Sequence, residues 1–137
     1  DMVLIDCQPS LGLLTVNALT AANGVIIPLE CEYFALRGVA LLNETIEKVR
    51  ERTNFGLEII GLVGTMYDGR TLHGREVLRT LVDGWGDKVF HTVIRRTVKF
   101  SDSTVAGEPI TSFATTSPGA KAYRDLAKEV LLRCPDA

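Results

Sequence analysis

A chain of 137 residues, 46% hydrophobic and 23% charged, is long enough for one domain with its own core and too apolar for a disordered segment. Three cysteines (Cys7, Cys31 and Cys134), odd in number and without C-x-x-C spacing, argue against a disulfide framework or a zinc site. The formal net charge of -2 carries no bulk sign of a nucleic-acid partner, but residues 1–65 sum to -4, residues 66–99 to +3 and the remainder to -1, so the middle third is the basic one, with a solvated surface of ordinary fluctuation as the plain reading.

The chain opens on Met2-Val3-Leu4-Ile5, an unbroken apolar run that predicts a strand covered on both faces in a parallel sheet. It stops on Asp6 and is followed by the breakers Pro9 and Ser10, which places Asp6 at the carboxyl edge, where open α/β sheets bind ligands. Such a strand at the start predicts that part of the fold precedes it. SLGLLTVNALTAA reads as a helix capped by Ser10 and ended by Asn23-Gly24. GVIIPLE is the next strand, expected to end or turn outward at Pro28, which has no amide to donate. An amphipathic helix follows from about Leu36 to Arg52, then a third strand in LEIIGLVGTMY, a helix in HGREVLRTLVDGW and a fourth strand in KVFHTVI. SPGAKAYRDLAKEVLLR is a final helix with a Ser-Pro start. Residues 95–116 are too long and irregular for a simple connection and predict a functional loop. Alternating strands and helices imply an α/β fold, a doubly wound and mainly parallel sheet with flanking helices. Its carboxyl-edge loops would include DCQPS, ECEYFA, GTMYDGRT and RRTVKFSDS.

GTMYDGRT has the spacing of a phosphate-binding loop, except that Arg70 stands where a lysine belongs. A guanidinium is broad and planar where the lysine ammonium is a compact point charge, and Tyr67 is bulky for a loop that wraps phosphate, so the cradle reading is disfavoured.

The succession VLIDCQPSLGLLTVNAL, GVIIPLECEYFALRGVALL, GLVGTMYDGRTLHGREV, VIRRTVKFSDSTVAGEPI and GAKAYRDLAKEV resembles the C-terminal portion of the ParA/Soj family of deviant Walker-A partition ATPases. The resemblance spans residues 1–137 and implies a P-loop NTPase-like domain lacking its N-terminal strands and phosphate loop. In that family a Lys-Gly-Gly-x-Gly-Lys-Thr loop lies upstream of the strand matched by residues 2–6.

The resemblance also implies roles. Asp6 matches the Walker-B aspartate, which holds the magnesium shell through water and couples to catalysis; capping of the following helix is the plain alternative. Met66, Arg95 and Arg96 match the loops bordering the adenine base. Here the chain departs from the family, which usually has Ile-Pro-Arg at Ile94-Arg95-Arg96, Glu-Ala at Asp102-Ser103 and a proline at Gln8. Arg70 and Lys99 match basic positions used for sequence-independent DNA binding, and their cationic groups suit phosphate without needing a base edge; solvated charge is the alternative. The implied protein is a cytoplasmic, nucleoid-associated Mg-dependent ATPase of chromosome or plasmid partitioning. It would bind ATP and Mg2+ in the intact parent, form a homodimer in the ATP state, and meet non-specific DNA and a ParB-like centromere-binding protein. The 137-residue chain itself is expected to be inactive and to hold no cofactor stably. The chain lacks a leading basic and apolar targeting pattern, a run long enough to span a bilayer, and a basic face on its tail EVLLRCPDA, so no membrane partner is expected. A MinD-like positioning ATPase and a non-catalytic α/β interaction domain are the alternatives.

Overall fold

The structure, a computed structural model, describes residues 2–8, 10–32 and 34–134. Two β-branched runs build its centre: β1 (Gly24–Glu30) and β2 (Glu58–Thr65) pair in parallel, joined through helix α2 (Ala35–Arg52). Residues 89–95 run along the opposite edge of β2, also in parallel. Phe90 N donates to Leu62 O and Ile94 N to Gly64 O, each at 2.8 Å. The expected fourth strand therefore lies where the alternation placed it, but it is a pair of isolated bridges and not a regular strand. Its ladder breaks at His91 and Thr92, whose amides turn to the Glu129 carboxylate, each at 2.8 Å.

Helices cover both faces of this parallel unit. On one side α1 (Leu13–Ala21), α2 and α3 (Leu72–Trp85) bury Leu19, Val39, Ile46, Val49, Val77 and Leu81 against Ile27, Leu29, Ile59 and Leu62. On the other, α6 (Pro118–Arg133) brings Leu126 and Val130 to Val63, Phe90 and Ile94, joined by Phe100 of α4 (Val98–Ala106). Fully burying one such side chain contributes about 1.5–3 kcal/mol, so the two faces, more than helix propensity, hold the layers together. Helix α5 (Ile110–Phe113) and a 3-10 turn (Gly86–Lys88) complete the described elements.

A bulge in β2 shapes the second face. Register passes from Val25↔Ile59 to Ile26↔Gly61, leaving Ile60 as the extra residue. Ile60 packs toward α6, and the missing side chain of Gly61 admits the Arg133 guanidinium, which lies 4.1 Å over the Phe90 ring. Arg133 donates to the carbonyls of Ile60, Lys88 and Val89, each at 3.0 Å, and so ties the end of α6 to the bulge and to the irregular 88–90 segment.

Several expectations need correction. Residues 2–6 form no strand, and Val3 and Leu4 are 85% and 78% exposed, because no described segment pairs with them. Pro9 lies outside the described residues. Ser10 does not cap α1; Gly12 occupies the cap without a side-chain bond, and the Ser10 carbonyl instead accepts from Thr15 Oγ1 at 2.6 Å. The end of α1 is finished by Asn54, whose amide donates to Leu19 O and Ala22 O. β1 runs through Pro28: Cys31 N donates to Thr65 O, and since strand amides alternate, position 28 faces the edge away from β2, where a proline costs no bond. The presumed loop 95–116 is largely helical. Thr97 Oγ1 caps α4 and Gly107 ends it in the left-handed region at φ 68°, both signals present in the sequence.

A Cβ at position 61 would lie 2.6 Å from Arg133 Nη1 and 2.7 Å from both Lys88 O and Phe90 Cε2. Because one of these is backbone, it has no cheap way to yield. Gly61→Ala is expected to destabilise the chain by about 1–3 kcal/mol in urea unfolding, whereas Gly84→Ala, which meets nothing within 4 Å, is expected to be neutral or stabilising.

Candidate functional site

The carboxyl ends of β2 and of the 89–95 segment are tied by main-chain bonds. Met66 leaves β2 with φ 51°, the one non-glycine positive φ among the described residues, and turns the chain sharply. Tyr67 N then donates to Ile94 O and Arg96 N to Tyr67 O, both at 3.1 Å. Through this short ladder the 68–70 loop and the Arg95-Arg96 pair become neighbours.

Asp68 dominates that loop. Its carboxylate accepts from Arg70 Nε at 2.9 Å, Arg70 Nη2 at 2.7 Å and the Arg70 amide at 3.0 Å, a bidentate fork plus a turn. The Arg70 side-chain and backbone bonds hold the Asp68 carboxyl down at about 2, and the same pair raises the Arg70 guanidinium. The Asp68 carbonyl accepts from the Thr71 amide, and Thr71 Oγ1 caps α3 by accepting from Gly74 N. The amides of Arg70 and Thr71 are thus turned inward onto Asp68, which confirms that GTMYDGRT is no open phosphate cradle despite its spacing.

Tyr67, Asp68, Gly69, Arg70, Arg95 and Arg96 line an open depression of about 480 Å³, with three arginines against one carboxylate. Arg96 also reaches Glu32 in the loop after β1 at 3.2 Å, with both side chains more than half exposed, a contact of small energetic weight. Arg95 pairs with no carboxylate among the described residues.

The structure therefore unites Arg70 with Arg95 and Arg96, which the sequence assigned to different partners. Met66 stands beside them at the strand exit, 39% exposed. Lys99 is exposed in the first turn of α4, outside the lining, and Asp6 is exposed in the irregular segment 2–8, also outside it. Asp68 and Glu32 were missed; the Asp-x-Arg spacing of an Asx turn was the readable signal for the first. A second depression, bordered by Glu47, Arg50, Trp85 and Lys88, is structural: Arg50 and Lys88 are spent on Leu57 O and Ile59 O.

No group of three His, Cys, Asp or Glu side chains among the described residues could hold a metal, and Asp6 alone offers one carboxylate. Magnesium keeps several of its waters and is usually met by one or two carboxylates, so Asp6 by itself could join such a shell only through water.

On the α6 side, Glu129 binds both amides of the 91–92 break and the Thr92 hydroxyl, with His91 Nδ1 at 3.6 Å. Burial pushes its carboxyl up, but these bonds outweigh burial and leave it below the usual range.

The Asp68 carboxyl, held near 2 in the folded chain, adds stability that is present above the ordinary carboxylate range and is lost as pH falls from there towards about 2. In a carboxyl NMR titration Asp68 is expected to titrate near 2, and Arg70→Ala, which removes the guanidinium fork and keeps the backbone amide, to raise it towards the ordinary range. An ordinary midpoint in the unaltered chain would contradict the fork.

The AAA domain family matches residues 1–59. The chain is 59% identical over 133 residues to an uncharacterised protein of Mycobacterium tuberculosis, covering 97% of this chain and 42% of that one. It is 50% identical over 137 residues to the chromosome-partitioning ATPase Soj of Thermus thermophilus, covering 100% of this chain and 55% of Soj. A crystal structure of cobyrinic acid a,c-diamide synthase from Mycobacterium smegmatis with bound ADP and magnesium superposes with a TM-score of 0.73 at 41% identity, covering 96% of this chain and 46% of that one. The chain spans about half the length of the relatives it matches. No helix among the described residues is long and apolar enough to cross a membrane. With Soj and ParA proteins matching 95–100% of it at 47–50% identity, the chain is a homologue, along nearly all its length, of the Soj/ParA family of chromosome-partitioning ATPases.

Proposed function

We propose that this chain is a portion of a ParA-like ATPase domain whose carboxyl edge meets the phosphate backbone of DNA without reading its sequence, in chromosome or plasmid partitioning. The observation that carries the reading is the gathering of Arg70, Arg95 and Arg96 in one exposed depression of a chain about half identical to Soj. Guanidinium groups suit phosphate diesters, and a contact to phosphate carries no base information. Lys99, exposed on the next helix, extends the cationic edge. Met66 and the 94–96 backbone would border an adenine base, and Asp6 would join a magnesium shell through water. ATP, a homodimer and a ParB-like partner belong to this proposal, as does nucleoid association in the cytoplasm.

Duplex DNA binding by fluorescence anisotropy at low ionic strength tests the reading. Arg70→Ala and Lys99→Ala are each expected to weaken binding to unrelated duplexes to a similar extent, and to flatten the dependence of log affinity on log salt by about one unit per contact. A loss confined to one duplex sequence, or an unchanged slope, would return both residues to solvated charge.

The 137-residue chain by itself should not hydrolyse ATP, because phosphoryl transfer rests on positioning and its sequence contains no lysine-bearing phosphate loop. Phosphate release is expected to equal a buffer control. Release above that control, abolished by Asp6→Ala, would overturn this.

A further inference from the structure

Asp68 occupies a peculiar place in the depression. It accepts two guanidinium bonds and one backbone amide, a donor set of the kind that recognises a phosphate oxyanion. Arg70 is 90% exposed and Asp68 is 28% exposed, so the pair lies at the surface and can be opened by an incoming ligand without unpacking the core. Two further arginines face the same depression, and one of them, Arg95, has no carboxylate partner among the described residues.

We propose that Asp68 is a built-in counter-anion for Arg70 that a phosphate oxyanion must displace, and that Arg95 is a third phosphate contact beside Arg70 and Arg96. This deepens the reading of the edge as a phosphate interface and rests on it. The chemistry is a phosphate carrying at least one negative charge, from either a nucleic-acid backbone or a polyphosphate. Displacement exchanges one anion for another at Arg70, so the attraction of the three arginines is partly cancelled until Asp68 swings away. The carboxylate is ionised throughout the physiological range, so the competition is permanent and not set by pH. Its effect is to keep each single contact weak and readily reversed, as a protein that samples many equivalent backbone sites requires.

The test uses the chain itself with two probes, a mixed-sequence fluorescent duplex and inorganic tripolyphosphate, at low and moderate salt. Asp68→Asn keeps an oxygen to accept the Arg70 amide and removes only the charge. It is expected to tighten binding of the duplex by roughly two- to fivefold, the scale of one exposed ion pair. The gain should vanish in an Arg70→Ala background, since the two residues act as one unit. Arg95→Ala is expected to weaken duplex binding and flatten the salt dependence by about one unit. Unchanged or weaker binding of both probes by Asp68→Asn, or an equal gain without Arg70, overturns the proposal while leaving DNA binding through Arg70 and Lys99 standing. Tighter tripolyphosphate binding with no duplex binding by any variant upholds the counter-anion and removes the DNA reading. Binding of neither probe overturns both.

Discussion

The parallel pairing of both edges of β2 is the constraint on which the rest depends. One edge holds β1 and the other holds residues 89–95, so the backbone of a single strand sets where the loops on either side emerge. Parallel bonds point all three segments the same way and deliver their carboxyl ends to one rim. The bulge at Ile60 then turns two successive positions toward α6, which is why one face can be closed by a helix whose last residue is an arginine.

Charged side chains stand in for missing ladder partners at three points of this frame. Arg133 takes three carbonyls beside the bulge, Glu129 takes two amides where the outer segment leaves β2, and Asp68 takes the amide at the turn into α3. The first two are partly covered and bind backbone, where bonds to charged groups are worth about 1.5–3 kcal/mol; they hold the fold. Asp68 is paired mainly to another exposed side chain, where solvent screens the attraction, so its contribution is to the character of the surface and little to stability.

Much of this architecture was legible in the sequence. The near-continuous apolar runs placed β1 and β2, the amphipathic pattern placed α2 and α3, and Ser117-Pro118 marked the start of α6. The errors have physical causes. Met2 to Ile5 have the composition of a buried strand, but a strand exists only through its partners. Pro28 is compatible with a strand whenever its missing amide faces an unpaired edge, and which edge that is depends on the neighbour. Residues 98–106 form a helix whose cap and glycine stop were present and were outweighed by the length of the connection.

The sequence by itself determined the α/β class, the strand and helix order, the family resemblance and the basic character of the middle third, because these follow from local period, turn chemistry and charge count. Only the tertiary structure decided that Arg70, Arg95 and Arg96 face one depression with Asp68 among them, and that Asp6 and Lys99 lie outside it. The physical reason is that the two arginine loops are distant along the chain and meet only through the main-chain bonds of Tyr67 to Ile94 and Arg96, and such a pairing depends on which strand edges are neighbours and on no local pattern.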